Sequence, residues 1–499
     1  MATVLIIGGG VAGLSAGIYA RLSGHRAIVC ERHAVAGGNL TGWKRGDYVI
    51  DNCIHWLTGT NPVTAGYRTW EDLGALGSVD VIQTDTLYTC ESGGNRLSLH
   101  KDLSTLERDM LALSPADGKE IRSFIKAVEA LQGAFGIAGE NHDEKRFSVR
   151  SLPLLLKYHN LSTEELSNRF AHPLLKKFIV CFLGKYFAST ALLVVFATFC
   201  GRNGGLPAGG SPAMAKRIAD RFVTLGGELL LKKEALRIRV QNGVAKSVLF
   251  SDGDELQADY IVATPDAKVI FDKLLPVKMP DALKRQYMDK RMLRFSAYHC
   301  AFSCPTDALP FRGDFIYELP RQAQRALRTK YLILREFSHE PSFAPTGKTV
   351  LQSLIFTGEK DSRAFIALRK DKAAYARKKQ ELADAVLAQI CEKFPCFSGK
   401  LKLLDVWTPA TYERYTGAEI GSFMSFLLPK GKLPVRVSGE IPGVKNVILA
   451  TQWQQAPGGL PTAAGLGKAA AEWIDRKERQ ATRKPFLFPF AKRKRQKEA

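Results

Sequence analysis

The feature that most constrains this chain lies at its start. The apolar run Val4 to Ile7 enters Gly8-Gly9-Gly10-Val11-Ala12-Gly13, a helix-like stretch follows to Ser23 and Gly24, and Ala27 to Cys30 leads to Glu31. Strand, glycine turn, helix, helix-ending glycine and second strand make one βαβ unit. In such a turn Gly8 permits the tight bend, Gly10 lets the backbone approach a pyrophosphate, and Gly13 lets the helix pack closely on the strand. The helix N-terminus then presents unpaired N–H groups and the positive end of its dipole to the anion. Glu31 is placed to bond a ribose hydroxyl and would repel a 2′-phosphate. A glycine-rich turn in an ordinary βαβ unit leaves that acid unexplained. The cradle reads as a site for FAD or NAD rather than NADP, in a Rossmann-like α/β domain. Gly37-Gly38 adds a second place where backbone can approach a pyrophosphate without a Cβ in the way.

A chain of 499 residues is longer than one hydrophobic core usually needs. With 45% hydrophobic and 24% charged residues it is neither a disordered chain nor a polytopic membrane bundle. Nine cysteines with no CxxC pair argue against a disulfide framework or a zinc site, so no metal is expected and the thiols read as reduced and mostly buried. Long helical segments rich in Leu, Phe and Lys follow Leu103, and a mixed-sheet pattern with a helix around Ala373 to Glu392 occupies the later half. We divide the chain into a first dinucleotide-binding segment (1–100), a helical cap (101–203), a second binding segment (204–284), a substrate domain (285–425), a C-terminal binding segment (426–474) and a basic aromatic tail (475–499).

Several further stretches carry a family resemblance. They are Glu31-Arg32 with Gly37-Gly38 and the strand Tyr48-Val-Ile-Asp51, then Asn52-Cys53-Ile54-His55-Trp56, then Leu206 to Gly210 with Gly226-Gly227. Thr408-Pro-Ala-Thr-Tyr-Glu-Arg-Tyr415 and Ala450 to Pro461 complete the set. From Val4 to about Ile474 the chain resembles the FAD-dependent phytoene desaturase, carotenoid isomerase and retinol saturase group of amine-oxidase-like flavoproteins. The resemblance implies an α/β fold: a discontinuous Rossmann-like FAD-binding domain with an inserted mixed-sheet and helical substrate domain. It implies FAD as cofactor, held by Gly8, Gly10, Gly13, Glu31, Arg32, Gly37, Gly38, Asn39, Thr451, Gly458, Gly459, Leu460 and Pro461. Three positions depart from the family pattern. Asn39 stands where a basic residue usually follows the Gly-Gly pair, Thr451 where glycine is typical, and Asn52 or Cys53 where glycine follows the aspartate.

By the same resemblance, the helix opened by Pro457-Gly458-Gly459-Leu460-Pro461 faces its N-terminus toward the flavin pyrimidine edge, where a dipole stabilises negative charge. A flavin enzyme needs little from its protein beyond holding the substrate carbon against the cofactor and excluding water. His55 is the first candidate catalytic residue, as a proton donor or acceptor. A lone histidine beside Trp56 is more often packed structure. Trp453 is either a flavin neighbour or core, and Glu413 with Arg414 is read as a structural ion pair. No HExxH, GxSxG or P-loop is present.

The implied reaction is desaturation, saturation or isomerisation at carbon–carbon bonds of an apolar polyene or isoprenoid-like substrate, with the redox partner left open. The competing readings are a flavin amine oxidase and a non-catalytic prenyl-binding protein like the Rab GDP-dissociation inhibitors. The stretch Pro153 to Cys200 suits an oily tunnel or an ordinary helical core. The 71 Lys and Arg outnumber 49 Asp and Glu for a net charge of +22. From Asp475 to Ala499 ten basic residues face three acidic ones around Pro485-Phe-Leu-Phe-Pro-Phe490. That tail suits an anionic membrane surface, with a solvated tail and a nucleic-acid contact as alternatives. No recognisable module supports specific nucleic-acid binding. The start of the chain lacks a secretory leader pattern, so the expected location is cytoplasmic and peripheral on the membrane.

Overall fold

The opening βαβ unit forms as expected, with strands Thr3–Ile7 and Arg26–Cys30 joined by the helix Val11–Leu22. The structure, a computed structural model, describes residues 1–134, 152–275 and 277–482. Strands from three separated parts of the chain share one six-stranded sheet, in the order Glu228–Leu230, Arg26–Cys30, Thr3–Ile7, Tyr260–Ala263, Val444–Leu449 and Glu440–Ile441. The first five run parallel and the last pairs antiparallel. Parallel strands need cover on both faces, and these read as near-continuous apolar runs for that reason. Val4, Ile6, Val29 and Val262 pack toward the helices, among them Leu460–Thr482 and Gly210–Thr224. Leu5, Ile7, Ile28 and Ile261 pack toward a three-stranded sheet built from residues 235–257.

The long excursions out of this sheet build the second one. Its seven strands run in the order Lys402–Trp407, Phe295–Pro305, Lys348–Gly358, Tyr331–Glu336, Asp314–Glu318, Thr86–Ser92 and Asn95–His100. Successive side chains alternate between two cores, as a pleated strand requires. Ala297, Ile316, Ile333 and Leu354 face the helices Gly118–Ala134, Pro173–Val180 and Ser189–Cys200. Tyr298, Phe315, Leu334 and Ile355 face the long helix Lys372–Lys393.

Two boundaries differ from the sequence reading. The hairpin of Thr86–Ser92 and Asn95–His100, assigned to the first binding segment, joins the substrate sheet through parallel pairing of Tyr88 with Asp314. That long-range pairing leaves no local mark. The basic tail does not begin at Asp475, because the helix continues to Thr482 and is tied down. Asp475 accepts from Ser23 and pairs with His25 at 2.8 Å, and Tyr260 donates to Glu478. Residues 483–499 lie outside the described residues. Within Phe178 to Cys200 the helix Ser189–Cys200 is largely buried, and no helix among the described residues is long and apolar enough to cross a membrane.

Candidate functional site

Both sheets border one cavity of about 1100 Å³. At one end it is lined by the glycine cradles. Gly8, Gly10, Glu31, Arg32, Gly37, Gly38, Asn39, Thr451, Gly458, Gly459, Leu460 and Pro461 all reach its wall. Gly13 does not, and its role is packing: a Cβ there would stand 1.9 Å from the Gly8 carbonyl oxygen. Gly10 is the opposite case. A Cβ on it would meet Gly38 Cα at 3.7 Å, an ordinary contact, so nothing in the polypeptide demands glycine and the space in front of it belongs to the cavity. Gly37 and Gly38, at φ +127° and +60°, fold the second loop against the first, where Gly37 N–H donates to the Gly9 carbonyl at 2.8 Å. This pair of backbone walls fits the pyrophosphate of a dinucleotide.

Glu31 is buried, and both of its oxygens accept backbone N–H groups, from Gly9 at 2.7 Å and from His33 at 2.9 Å. The carboxylate is therefore held in place at the cavity wall. Arg32 turns away to donate to the carbonyls of Arg414 and Tyr415, and His33 stacks on Tyr415 with ring centroids 4.0 Å apart. These contacts close the cradle with the end of the helix Pro409–Thr416. Asn39 donates to the Phe423 carbonyl at 3.2 Å rather than presenting a cation. The Glu413 and Arg414 pair read from sequence does not form; Glu413 pairs with Arg369 at 3.0 Å. Adjacent helical residues do not face each other. Trp453 is buried against Tyr287 and Phe426 while also reaching the cavity wall.

Beyond the cradle the cavity turns apolar, with Phe182, Phe187, Val194, Phe295, Ile333 and Phe356 among its lining. The segment from Asn52 to Leu57 crosses between the two regions. Asp51 accepts from Ser211 N and Oγ, both at 2.6 Å, and so anchors the start of this segment to the helix Gly210–Thr224. At the far end Trp56 packs on Phe182 with centroids 5.3 Å apart.

His55 lies in that segment, with its side chain 29% exposed and on the cavity wall. Burial and then the Arg335 cation hold its ring below the ordinary histidine value, while Asp314, 3.7 Å from Nδ1, pulls the other way. Burial alone would raise the Asp314 carboxyl, but Arg335 and His55 outweigh it and hold it at about 2. His299 stacks on Trp407 at 4.5 Å and faces the Tyr412 hydroxyl through Nε2 at 3.0 Å. Burial, reinforced by His55 and Arg335, keeps it neutral. Tyr412 also accepts from Trp407 Nε1 and donates to Asn52 Oδ1 at 2.8 Å. Sequence reasoning missed Asn52 as a polar wall group, together with His299, Asp314 and Arg335. The Thr408–Tyr415 and Asn52–Trp56 stretches gave signals for Tyr412 and Asn52, whereas His299, Asp314 and Arg335 carry none outside the folded sheet.

Residues 11–474 match the family described as flavin-containing amine oxidoreductase. Prolycopene isomerase 2 from an Oncidium hybrid cultivar is 24% identical over 467 residues, covering 86% of this chain and 76% of that protein. Phytoene dehydrogenase from Streptomyces griseus is 22% identical, covering 94% of each. Among solved structures, cyclohexylamine oxidase from Brevibacterium oxydans superposes with a TM-score of 0.56 at 15% identity, covering 96% of this chain and 99% of that chain. Glycine walls that leave room for a pyrophosphate, an anchored glutamate at the end of the second strand and a family match over nearly the whole length agree on the cofactor, FAD. The chain belongs to the flavin-containing amine oxidoreductase family.

Proposed function

We propose that this FAD-dependent oxidoreductase acts on carbon–carbon bonds of an apolar polyene, desaturating, saturating or isomerising it. The carrying observation is the continuity of the cavity, from the dinucleotide cradle into a chamber walled by aromatic and aliphatic side chains. The names of the relatives, prolycopene isomerase and phytoene dehydrogenase, support a polyene as the substrate class. Bound FAD supplies a two-electron acceptor and donor at carbon. The chain's own part is to exclude water, hold the polyene and handle the accompanying proton. His55 is proposed for the proton: its neutral ring is ready to accept one through Nε2, a role worth about 10²–10⁴-fold in rate.

The amine oxidase reading rests on the family's description and on likeness of fold to an amine oxidase at 15% identity, whereas the relatives matched over most of the chain are named as a prolycopene isomerase and a phytoene dehydrogenase. Asp314, the carboxylate beside His55, is already neutralised by Arg335, which leaves little to attract an ammonium substrate. From the composition of residues 483–499 we also propose contact with an anionic membrane surface. Incubation of the flavin-loaded protein with a lipid extract, followed by chromatographic comparison of polyene double-bond number and geometry, tests the main proposal. Unchanged polyenes in both redox states of the flavin would remove it.

A further inference from the structure

We propose that Asp314 and Arg335 are positioning residues that fix the His55 ring with Nε2 toward the cavity as the proton acceptor. The inference rests on the reading of His55 given above and adds the groups through which its ring is held. Asp314 and Arg335 are cross-strand partners in the substrate sheet. The guanidinium forks onto the carboxylate, Nε to Oδ1 at 2.9 Å and Nη2 to Oδ2 at 3.2 Å. Its remaining Nη1 donates to the Ile54 carbonyl at 3.0 Å, one residue before His55. One buried cation thus grips both the backbone that carries the histidine and the carboxylate beside its ring.

That carboxylate lies on the Nδ1 side. It favours the tautomer with its proton on Nδ1, which leaves the lone pair on Nε2. Contacts of this kind are often long until substrate binds. Nε2 has no hydrogen-bond partner among the described residues, and the half-buried ring lines the cavity.

A buried ion pair is a poor way to hold two strands together, since an apolar pair of similar volume often does so at lower cost. Its charge pattern makes sense for the histidine. A lone carboxylate would draw a proton onto the ring and remove its capacity to accept another. Arg335 opposes that effect, so the carboxylate orients the ring without charging it. The other ionisable groups around the ring do not upset this arrangement. Asp51 is engaged by Ser211, the Cys53 thiol is pushed up to about 12 by burial and then Asp51, and His299 is neutral.

In the desaturating direction the C–H bond next to the carbon that loses hydride breaks and an N–H bond forms at Nε2. The freed electron pair becomes the new π bond. Bound FAD would take up the hydride, so that the two electrons lost by the substrate reduce the flavin by two. The same atoms run in reverse for saturation.

The test is the pH profile of the anaerobic single-turnover reaction with polyene, with flavin content checked in each variant. His55→Gln should retain flavin and lose the limb that reports the ring, and a profile unchanged in that variant rejects the His55 reading itself. Asp314→Asn should move that limb to lower pH, because burial and Arg335 then act unopposed, and should lower the plateau rate about tenfold or more. Asp314→Glu should restore much of the rate. A limb removed by His55→Gln but unmoved in Asp314→Asn, with its plateau intact, overturns the positioning role alone. Asp314→Asn leaves a buried guanidinium without its partner, so Asp314→Asn combined with Arg335→Gln provides a variant without that charge. Its His55 ring, followed by imidazole ¹⁵N shifts, should show mixed tautomers, and a single Nδ1-protonated form with wild-type rate would overturn the proposal.

Discussion

At the end of the strand Thr3–Ile7 the working groups are backbone: glycines that stay out of the way, N–H groups, and a glutamate whose oxygens are both tied to neighbouring amides. On the cavity face of the seven-stranded sheet they are side chains, drawn together from Asn52, His55, His299, Asp314, Arg335 and Tyr412. The first arrangement offers shape and backbone donors, with few side-chain functional groups. The second, proposed to handle a proton, depends on strands that meet only after the sheet has formed. On the proposed reading, the cofactor is held largely through geometry that is local in the chain, whereas the proton chemistry depends on residues brought together from distant strands.

The largest effects should come from the backbone site. Gly13→Ala, with its Cβ at 1.9 Å from the Gly8 carbonyl oxygen, should disrupt the helix–strand contact and yield protein without flavin. Gly10→Val should abolish flavin retention while leaving the fold intact, since its side chain enters the cavity rather than the polypeptide. Absorbance of the purified protein together with circular dichroism separates the two, and stoichiometric flavin in Gly10→Val would break the contrast drawn here.

The side-chain site should respond in the opposite way. His55→Gln should keep its flavin and lose about 10²-fold or more in single-turnover rate. Tyr412→Phe leaves Asn52, His299 and Trp407 without a shared partner and should cost about 1–3 kcal/mol of stability, read from denaturant unfolding with flavin still bound. His299 is held neutral in the folded chain, below its unfolded value, so the unfolded state takes up more protons as the pH falls below about 6.5. Stability should be full above that value and decline below it, with a shallower slope in His299→Gln. The smallest effect on flavin and turnover concerns residues 483–499. Their deletion should leave flavin content unchanged and weaken binding to anionic vesicles, at about 1 kcal/mol per basic residue and with strong salt dependence.

The contrast also explains what could be read before folding. The cradle was legible because its parts lie close together in the chain, with Gly8, Gly10, Gly13 and Glu31 in one βαβ unit whose spacing is dictated by a pyrophosphate. His55 was legible as a candidate because it follows the Asp51 strand end. Asp314 and Arg335 were not, because Arg335 meets Ile54 across 281 positions and nothing near either residue announces the other. The hairpin at Thr86–His100 was misplaced for the same reason, its sheet partner lying far along the chain. The misread Glu413 and Arg414 pair shows the converse error, in which neighbours in sequence were taken for partners in space.

Whether the flavin works on polyene carbon decides the proposed function. Anaerobic mixing of the flavin-loaded protein with a polyene extract, and separately with primary amines, measures it directly through flavin absorbance and product analysis. The expected result is a polyene with altered double bonds, together with bleaching of the flavin when the reaction is a net oxidation, and no response to amines. Flavin bleached by an amine, with every polyene recovered unchanged, would contradict it.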